Sequence, residues 1–234
     1  MRIPLLALSL CCLPLATATA APARYALDPV HTRVLFSISH AGFSNALGTL
    51  SGATGTLVFD PDDWQAARVE VALPLHRLEL GDARWNQATL APRLLDAQRH
   101  PQARFVSTAV HPLGGNRARV DGELTLRGVT RPLTLEVTLN ALKRHPLPPF
   151  RRTIGFSASG VIERSAFGID AWPSMIGGQV RLQLEIEAVR EGRADATDDT
   201  AAGPLDSTDA AAAAAAAEAA ADDPATNTVP EEDR

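Results

Sequence analysis

The sequence predicts an all-β protein whose strands form one antiparallel sandwich or barrel. Apolar and polar residues alternate with a period of two in about eight short segments, which is the pattern of strands with one buried face. One segment, Asp82 to Pro101, breaks this alternation and predicts a short helical excursion. Both ends of the 234-residue chain differ in composition from this body, so we expect a single folded domain between two terminal segments.

The first predicted strand runs from His31 to His40, and its residues Val34, Phe36 and Ile38 share one parity. The two histidines differ by an odd number of positions, so their side chains point to opposite faces of a regular strand. We therefore do not expect them to form one metal or catalytic site. His40 shares the parity of the apolar residues and is expected at the inner end of the strand.

The later strands repeat this alternation around turns rich in glycine and proline. A glycine-rich approach to Leu57 and Phe59 predicts a strand with a bend or bulge. The remaining strands are centred on Val69, Val71 and Leu73; on Ala103–Val110; on Arg117–Leu126; on Leu133, Leu135, Val137 and Leu139; on Thr153–Arg164; and on Val180, Leu182, Leu184, Ile186 and Ala188. In the helical excursion, Asp82 is the expected N-cap and Pro101 follows the expected end.

The pattern alone does not decide between a sandwich and a barrel. A closed eight-stranded barrel removes the sheet edges and has a lumen for packed side chains or one small ligand. The apolar strand faces and seven phenylalanines are compatible with both an ordinary filled core and an elongated apolar lumen that takes up a lipid.

The first twenty residues predict a cleavable secretory signal peptide. Arg2 supplies a positive charge, an apolar core follows, and Ala18–Ala20 has the small residues of a cleavage site. The apolar run contains Pro14 and is too short for a membrane-spanning helix, so we expect no stable membrane anchor. Lipid attachment at Cys11 is the alternative, although a leucine precedes that cysteine. Cleavage after Ala20 leaves a mature chain without cysteines or disulfides.

The last segment, residues 191–234, predicts a disordered acidic tail. It contains twelve acidic and two basic residues, the alanine run Ala210–Ala217 and no aromatic residue, so it cannot bury enough apolar surface to fold. A solubilising extension and a binding segment for a basic partner both fit this composition. The body between, residues 21–190, contains nineteen basic and fifteen acidic residues. Its arginines are scattered, so no nucleic-acid binding is expected.

No motif for catalysis or metal binding is evident. The six histidines include no HxxxH or HxH pair, and zinc-type ligand spacing is absent. The chain has no G-x-S-x-G elbow, no P-loop and no dinucleotide-binding glycine motif after a strand. We therefore predict a protein that is not an enzyme, with neither a metal nor a cofactor.

Several spaced motifs resemble the YceI-like family. DPVHTRVLFSISHAGFSNALGTL is similar to its opening pattern, and GELTLRGVTRPLTLEV, Gly122 to Val137, to its central hairpin. IERSAFGI, Ile162 to Ile169, and the closing GGQVRLQLEIEA also match, so the resemblance covers about Arg24 to Arg190. It implies an extended, lipocalin-like, eight-stranded antiparallel barrel that binds a polyisoprenoid-type lipid, is exported to the periplasm and is not a catalyst.

The chain departs from the family pattern at two places. Thr32 stands where serine is usual, which keeps the hydroxyl group. The helical excursion differs more, because an aspartate and a histidine are replaced around Asn86 to Thr89 and Leu94 and Leu95 replace an aromatic pair. If this segment shapes the mouth of the barrel, it leaves the identity of the lipid open.

The resulting hypothesis is an exported protein that holds an isoprenoid-type chain, such as a polyprenyl phosphate or quinone tail, for sequestration or transport. The expected lumen and rim residues are Val34, Phe36, Ile38, His40, Phe59, Phe105, Phe156, Ala158, Arg164 and Phe167. Arg33, Arg164 or His40 would serve an ionic head group. The alternative is a structural or stress-response barrel with a filled core, and the sequence leaves a homodimer open.

Overall fold

The strands pair antiparallel around the molecule, and the sheet closes where the last strand pairs with the first. The computed structural model describes residues 22–192. The strands are β1 Ala23–Leu27, β2 Arg33–His40, β3 Ser44–Ser51, β4 Thr54–Phe59, β5 Arg68–Pro74, β6 Leu78–Glu79, β7 Gln102–Gly114, β8 Arg117–Leu126, β9 Val129–Arg144, β10 Arg152–Glu163 and β11 Ile176–Arg190. The helix α1, Ala83–Leu90, and the 3₁₀ turns Trp64–Ala66, Leu75–Arg77 and Arg164–Phe167 lie between them. The predicted signal peptide and acidic tail lie outside the described residues.

The eleven strands occupy eight positions around the barrel, because three positions are shared by two strands each. β1 and β2 both pair with β11, β4 and β3 pair with β1 and β2 respectively, and β5 and β6 pair with β4 and β3. β7 to β11 complete the ring as single long strands. The predicted eight-stranded antiparallel barrel is confirmed, and the predicted bend in the glycine-rich strand is a break between β3 and β4.

A turn separates β1 from β2, which together occupy the first position of the barrel. The Asp28 carboxylate accepts hydrogen bonds from the backbone N–H groups of Val30 and His31 at 2.8 and 3.1 Å. The buried hydroxyl of Thr32 then donates to the carbonyl of Glu187 at 3.2 Å and accepts from its N–H at 3.3 Å. This pair of bonds explains why a hydroxyl suffices at that position. β2 begins two residues later than the alternation predicted, because His31 belongs to the turn.

One end of the barrel, here called the base, is packed with aromatic and apolar side chains. Phe59 at the end of β4 contacts Trp64 and Phe156 in edge-to-face geometry, with ring centroids 5.3 and 5.9 Å apart. Tyr25 and Ile154, from β1 and β10, are 2% and 0% exposed beside them. The base is therefore closed by side chains rather than open to solvent.

The opposite end, here called the mouth, is bordered by α1, the β2–β3 turn and the segment from Arg164 to Ile176. The Asp82 carboxylate accepts hydrogen bonds from the N–H groups of Arg84 and Trp85 at 2.9 and 3.0 Å, so the predicted N-cap is confirmed. The helix is short, as predicted, and it ends at Leu90, eleven positions before Pro101, with a proline at position 92. No helix in residues 22–192 has the length and hydropathy needed to cross a membrane.

Candidate functional site: an apolar cavity along the barrel

The inward faces of the strands enclose a cavity of about 630 Å³, within the range of about 300–1,000 Å³ usual for small-molecule sites. Nearly all of its lining side chains are apolar, and they come from every position around the barrel. Nine of the ten residues predicted from the sequence border it: Val34, Phe36, Ile38, His40, Phe59, Phe105, Phe156, Ala158 and Arg164. The period-two alternation placed these side chains on the same inner surface.

Two of the phenylalanines lie flat against glycines of neighbouring strands. A Cβ atom added to Gly48 would lie 2.2 Å from Cζ of Phe36, and one added to Gly122 would lie 2.4 Å from Cζ of Phe105. The rings occupy the space that side chains would otherwise fill at these glycines. They therefore lie along the wall instead of crossing the lumen, which leaves room for a ligand.

Ala158 marks the wall of β10 where the lumen is lined by a methyl group only. It pairs with Val137 of β9 and Leu184 of β11, which both line the cavity. Ala158 itself is 5% exposed. Gly160, the next residue of the same parity, is covered by Leu135, whose Cδ2 would lie 2.8 Å from an added Cβ. On β10 the cavity is therefore bordered by a small side chain at Ala158.

Phe167 is a correction to the predicted set. It does not border the cavity, and it is 2% exposed within the packed core. The reason is local geometry, because Arg164–Phe167 forms a 3₁₀ turn and not a continuation of β10. Gly168 follows with φ of 69°, a left-handed conformation suited to glycine, and the turn directs the ring beneath the mouth.

Arg164 borders the cavity but is committed to the backbone around the mouth. Its guanidinium donates to the carbonyls of Gly177, Ile169 and Ile176 at 2.8, 2.6 and 2.9 Å. The residue is 5% exposed, and within residues 22–192 it forms no ion pair with a carboxylate. A buried guanidinium remains charged, so a cation lies beside the lumen at its mouth end. Arg33 is exposed and does not border the cavity, so its predicted head-group role has no support in the geometry.

Contacts between α1, the β2–β3 turn and the segment before β11 connect the elements around the mouth, and the sequence pattern did not predict them. The rings of His40 and Trp85 meet edge to face at 5.5 Å between centroids. Next to His40, the N–H of Ala41 donates to the carbonyl of Met175 at 2.6 Å, and Arg93 lies 5.5 Å above the ring of Trp172. Trp85, Trp172 and Met175 lie in segments without strand periodicity, so alternation gave no signal for them. The signal available was the presence of large apolar residues in otherwise irregular segments.

Polar groups border the cavity at a few further points. Thr89 and Ser39 lie near the mouth, and the exposed arginines Arg68 and Arg104 border it on the side of β5 and β7. Arg104 is occupied by Glu70, with its Nη2 atom 2.6 Å from the Oε1 atom of the carboxylate. The interior therefore offers apolar surface along its length and polar partners mainly at its edges.

A separate polar cluster lies on the outer side of the barrel. Nδ1 of His31 is 2.8 Å from Oδ2 of Asp28, and one ligand atom each from these residues and Glu187 lies within 4.8 Å of the others. Burial opposes ionisation of Asp28, but its hydrogen bonds with His31 and the N–H of Val30 hold the pKa of its carboxyl below the usual value. The bond to Asp28 raises the pKa of His31. The cluster is formed by residues distant in sequence, which spacing rules do not detect.

A closed antiparallel barrel with an apolar cavity and one bordered mouth defines a lipocalin-like binding barrel. The sequence comparison agrees, because the family model of the YceI-like domain matches residues 25–188. The chain belongs to the YceI-like family.

Relatives support this membership along the whole described domain. A UPF0312 protein of Pseudomonas savastanoi pv. phaseolicola is 33% identical over 179 residues, which cover 76% of this chain and 92% of that protein. The crystal structure of BcnA from Burkholderia cenocepacia superposes with a TM-score of 0.62 at 25% identity, covering 69% of this chain and 98% of the other. A polyisoprenoid binding domain from Saccharophagus degradans shares the fold, with a TM-score of 0.55, 13% identity and coverage of 71% and 98%.

Proposed function

We propose that this protein binds one long isoprenoid-type chain, a polyprenyl phosphate or a quinone tail, in the lumen of the barrel and sequesters or carries it. The cavity of about 630 Å³ with its apolar lining is the observation that carries the proposal. The name of the Saccharophagus degradans domain, a polyisoprenoid binding domain of the same fold, supports the same class of ligand. A binding role, and not catalysis, is the activity that suits this interior.

Burial of a hydrocarbon chain supplies enough free energy without an ionic contact. Each buried methylene is worth about 0.8 kcal/mol, so ten carbons contribute roughly 8 kcal/mol before ordering costs. That sum corresponds to a dissociation constant near 1 μM before those costs are subtracted. The same arithmetic makes release of a twenty-carbon chain into water cost about 16 kcal/mol, so passage through bulk water would be very slow.

The distribution of polar groups supports an orientation of the chain with its head group at the mouth. The buried cation of Arg164 and the ring of His40 lie at that end of the lining. The base is closed by the aromatic contacts of Phe59 with Trp64 and Phe156. In this proposed orientation a phosphate or a quinone ring lies near Arg164 and His40, and the end of the tail lies near Phe59.

The alternative, a structural barrel with a filled core, is less consistent with the wall geometry. A filled interior would direct the rings of Phe36 and Phe105 into the lumen, whereas both lie against glycines. It would also leave no apolar cavity of about 630 Å³ between the strands.

We further propose export to the periplasm, with cleavage near Ala20, and an acidic tail that is dispensable for folding. The composition of both segments supports this. N-terminal sequencing of protein isolated from its own cells should begin near Ala21. A start at Met1, or a lipidated Cys11, would contradict export by simple cleavage.

Uptake of a fluorescent isoprenoid analogue by the purified protein tests the binding function. We expect saturable binding with one analogue per chain, competed by unlabelled polyprenyl phosphate. Competition by a fatty acid of equal carbon number measures selectivity for the branched chain. Absence of saturable uptake with any isoprenoid would favour the structural alternative.

A further inference from the structure

Large apolar side chains surround the mouth while remaining open to solvent. Trp85, Trp172 and Met175 border the cavity and are still 42%, 44% and 49% exposed. Phe43, at the tip of the β2–β3 turn, is 93% exposed, and Leu47 on the outer face of β3 is 58% exposed. We call these five residues the apolar rim. Because the apolar surface continues from the lumen onto the rim, the entrance and the exposed patch are one surface.

The two tryptophans of the rim differ from the tryptophan of the base in how their indole N–H groups are used. At the base, the indole of Trp64 donates to the carbonyl of Pro61 at 3.0 Å. Within residues 22–192, neither Trp85 nor Trp172 donates its indole N–H to a protein acceptor. Tryptophans with an apolar ring and an unused N–H are typical of the water–lipid interface.

The backbone around Trp172 holds its ring in a fixed place. Trp172 has a φ of 51°, an uncommon conformation for a bulky residue. The N–H groups of Met175 and Ile176 both donate to the carbonyl of Trp172 at 2.9 Å, and Arg93 covers one face of the ring. These contacts keep the indole at the border of the cavity while it remains 44% exposed.

Exposed side chains of both charge signs lie around the mouth. Arg84 and Arg93 are exposed at this end, and so are Asp82 and Asp170. A surface of this kind enters a lipid interface by apolar insertion, and salt should have little effect on it.

We propose that the apolar rim docks on the surface of a lipid bilayer, so that a chain passes directly between the membrane and the lumen. This inference rests on the proposed function, because an isoprenoid chain resides in bilayers and leaves them through water only very slowly. Docking at the mouth gives the chain a continuous apolar path from the bilayer past Trp85 and Trp172. The contact is reversible and peripheral, and the rim residues lie on the β2–β3 turn, on β3, on the short helix α1 and in the segment before β11.

Phe43 is the position that separates docking from lumen binding, because it belongs to the rim but does not border the cavity. Phe150 is the matched control, since it is a phenylalanine 51% exposed in the β9–β10 loop at the opposite end of β10. The full chain, Phe43→Ser and Phe150→Ser are compared by flotation with phosphatidylcholine vesicles. Transfer of a fluorescent isoprenoid analogue from the same vesicles is measured at several vesicle concentrations.

We expect the wild type to float with the vesicles and to acquire analogue at a rate that rises with vesicle concentration. Phe43→Ser should reduce both vesicle binding and transfer rate by about tenfold, the effect of removing one largely exposed ring from an apolar contact. Its equilibrium uptake of a short, water-soluble farnesyl analogue should be unchanged, and Phe150→Ser should match the wild type in all three measurements.

Equal losses in Phe43→Ser and Phe150→Ser, no loss in Phe43→Ser, or a transfer rate independent of vesicle concentration would each overturn docking at the mouth. Binding that requires anionic lipid and disappears in salt would also overturn it, in favour of an electrostatic contact. A wild type that floats through Phe43 but takes up no analogue supports docking and removes the proposed lipid cargo. The two proposals therefore fail separately.

Discussion

Replacement of Ala158 by tryptophan should block the lumen without unfolding the barrel. The methyl group of Ala158 faces the cavity from β10 and is flanked across the sheet by Val137 and Leu184. An indole at this position would project into the space of about 630 Å³. We expect Ala158→Trp to abolish uptake of a long isoprenoid analogue.

The expected effect on stability follows from whether the space is empty. A tryptophan buries about 150–250 Å², which at about 25 cal/mol per Å² is worth roughly 4–6 kcal/mol if the ring enters an open apolar lumen. Ordering of the side chain and imperfect packing reduce this gain, so Tm should stay constant or rise. In a filled core the same change would overpack the interior and cost about 1–3 kcal/mol, which lowers Tm by about 2–12 °C in a domain of this size.

Ser159→Trp is the matched control, because the adjacent residue is exposed and lies on the outer face of the same strand. Thermal denaturation and analogue titration are measured for the wild type and both variants. We expect Ala158→Trp to lose uptake while its Tm is not lowered, and we expect Ser159→Trp to keep the uptake of the wild type. A Tm lowered by several degrees together with a wild type that takes up no analogue would refute the reasoning, as would full uptake by Ala158→Trp.

Three further changes test the wall, the mouth and the outer cluster. In Gly48→Ala the atoms nearest to the new methyl group belong to side chains, chiefly that of Phe36, so the ring should swing into the lumen. The affinity for isoprenoid analogues should then fall more for long than for short chains in a binding titration, and an equal fall for both would contradict this. Arg164→Gln leaves buried carbonyls without donors and should destabilise the fold by about 2–4 kcal/mol in urea unfolding; an unchanged midpoint would contradict its bracing role. The pKa of His31 is raised in the folded state by its bond to Asp28, so protonated His31 stabilises the fold below about pH 6.5, the pKa of a free histidine. This contribution is lost as pH rises through the folded pKa, and the free energy of unfolding should then fall by less than about 1 kcal/mol because the pair is exposed. His31→Gln should lack that decline in denaturation measured across pH 5.5–8.5, and an identical profile would exclude the pair as its source.

The sequence was sufficient for the wall of the barrel, because alternation reports which face of a strand is buried. Val34, Phe36 and Phe156 were placed on the inner surface by parity alone, and the structure has them there. Parity stopped being informative where the strand ended. Phe167 follows the predicted strand Thr153–Arg164 and does not share the parity of Ile154 and Phe156. It belongs to a 3₁₀ turn, and only its tertiary position shows that it packs in the core and does not border the cavity.

The mouth could not be predicted from the sequence for a related reason. Trp85 lies in α1 and Trp172, 87 positions later, in an irregular segment. No local pattern indicates that Trp85 contacts His40 or that Trp172 contacts Arg93. The cap at Asp82 was predictable, since an aspartate before a helix has a local function. The role of Gly48 was not, because it depends on a ring from the adjacent strand.

In the proposed function, the lumen holds an isoprenoid-type chain in the cell. Native mass spectrometry of the mature protein, isolated without detergent from its own cells, measures this directly. We expect a mass increase corresponding to one apolar molecule per chain, which dissociates on collisional activation and is identified in the lipid extract as a polyprenyl phosphate or a quinone. A uniform mass equal to that of the polypeptide, with no lipid recovered in the extract, would contradict it.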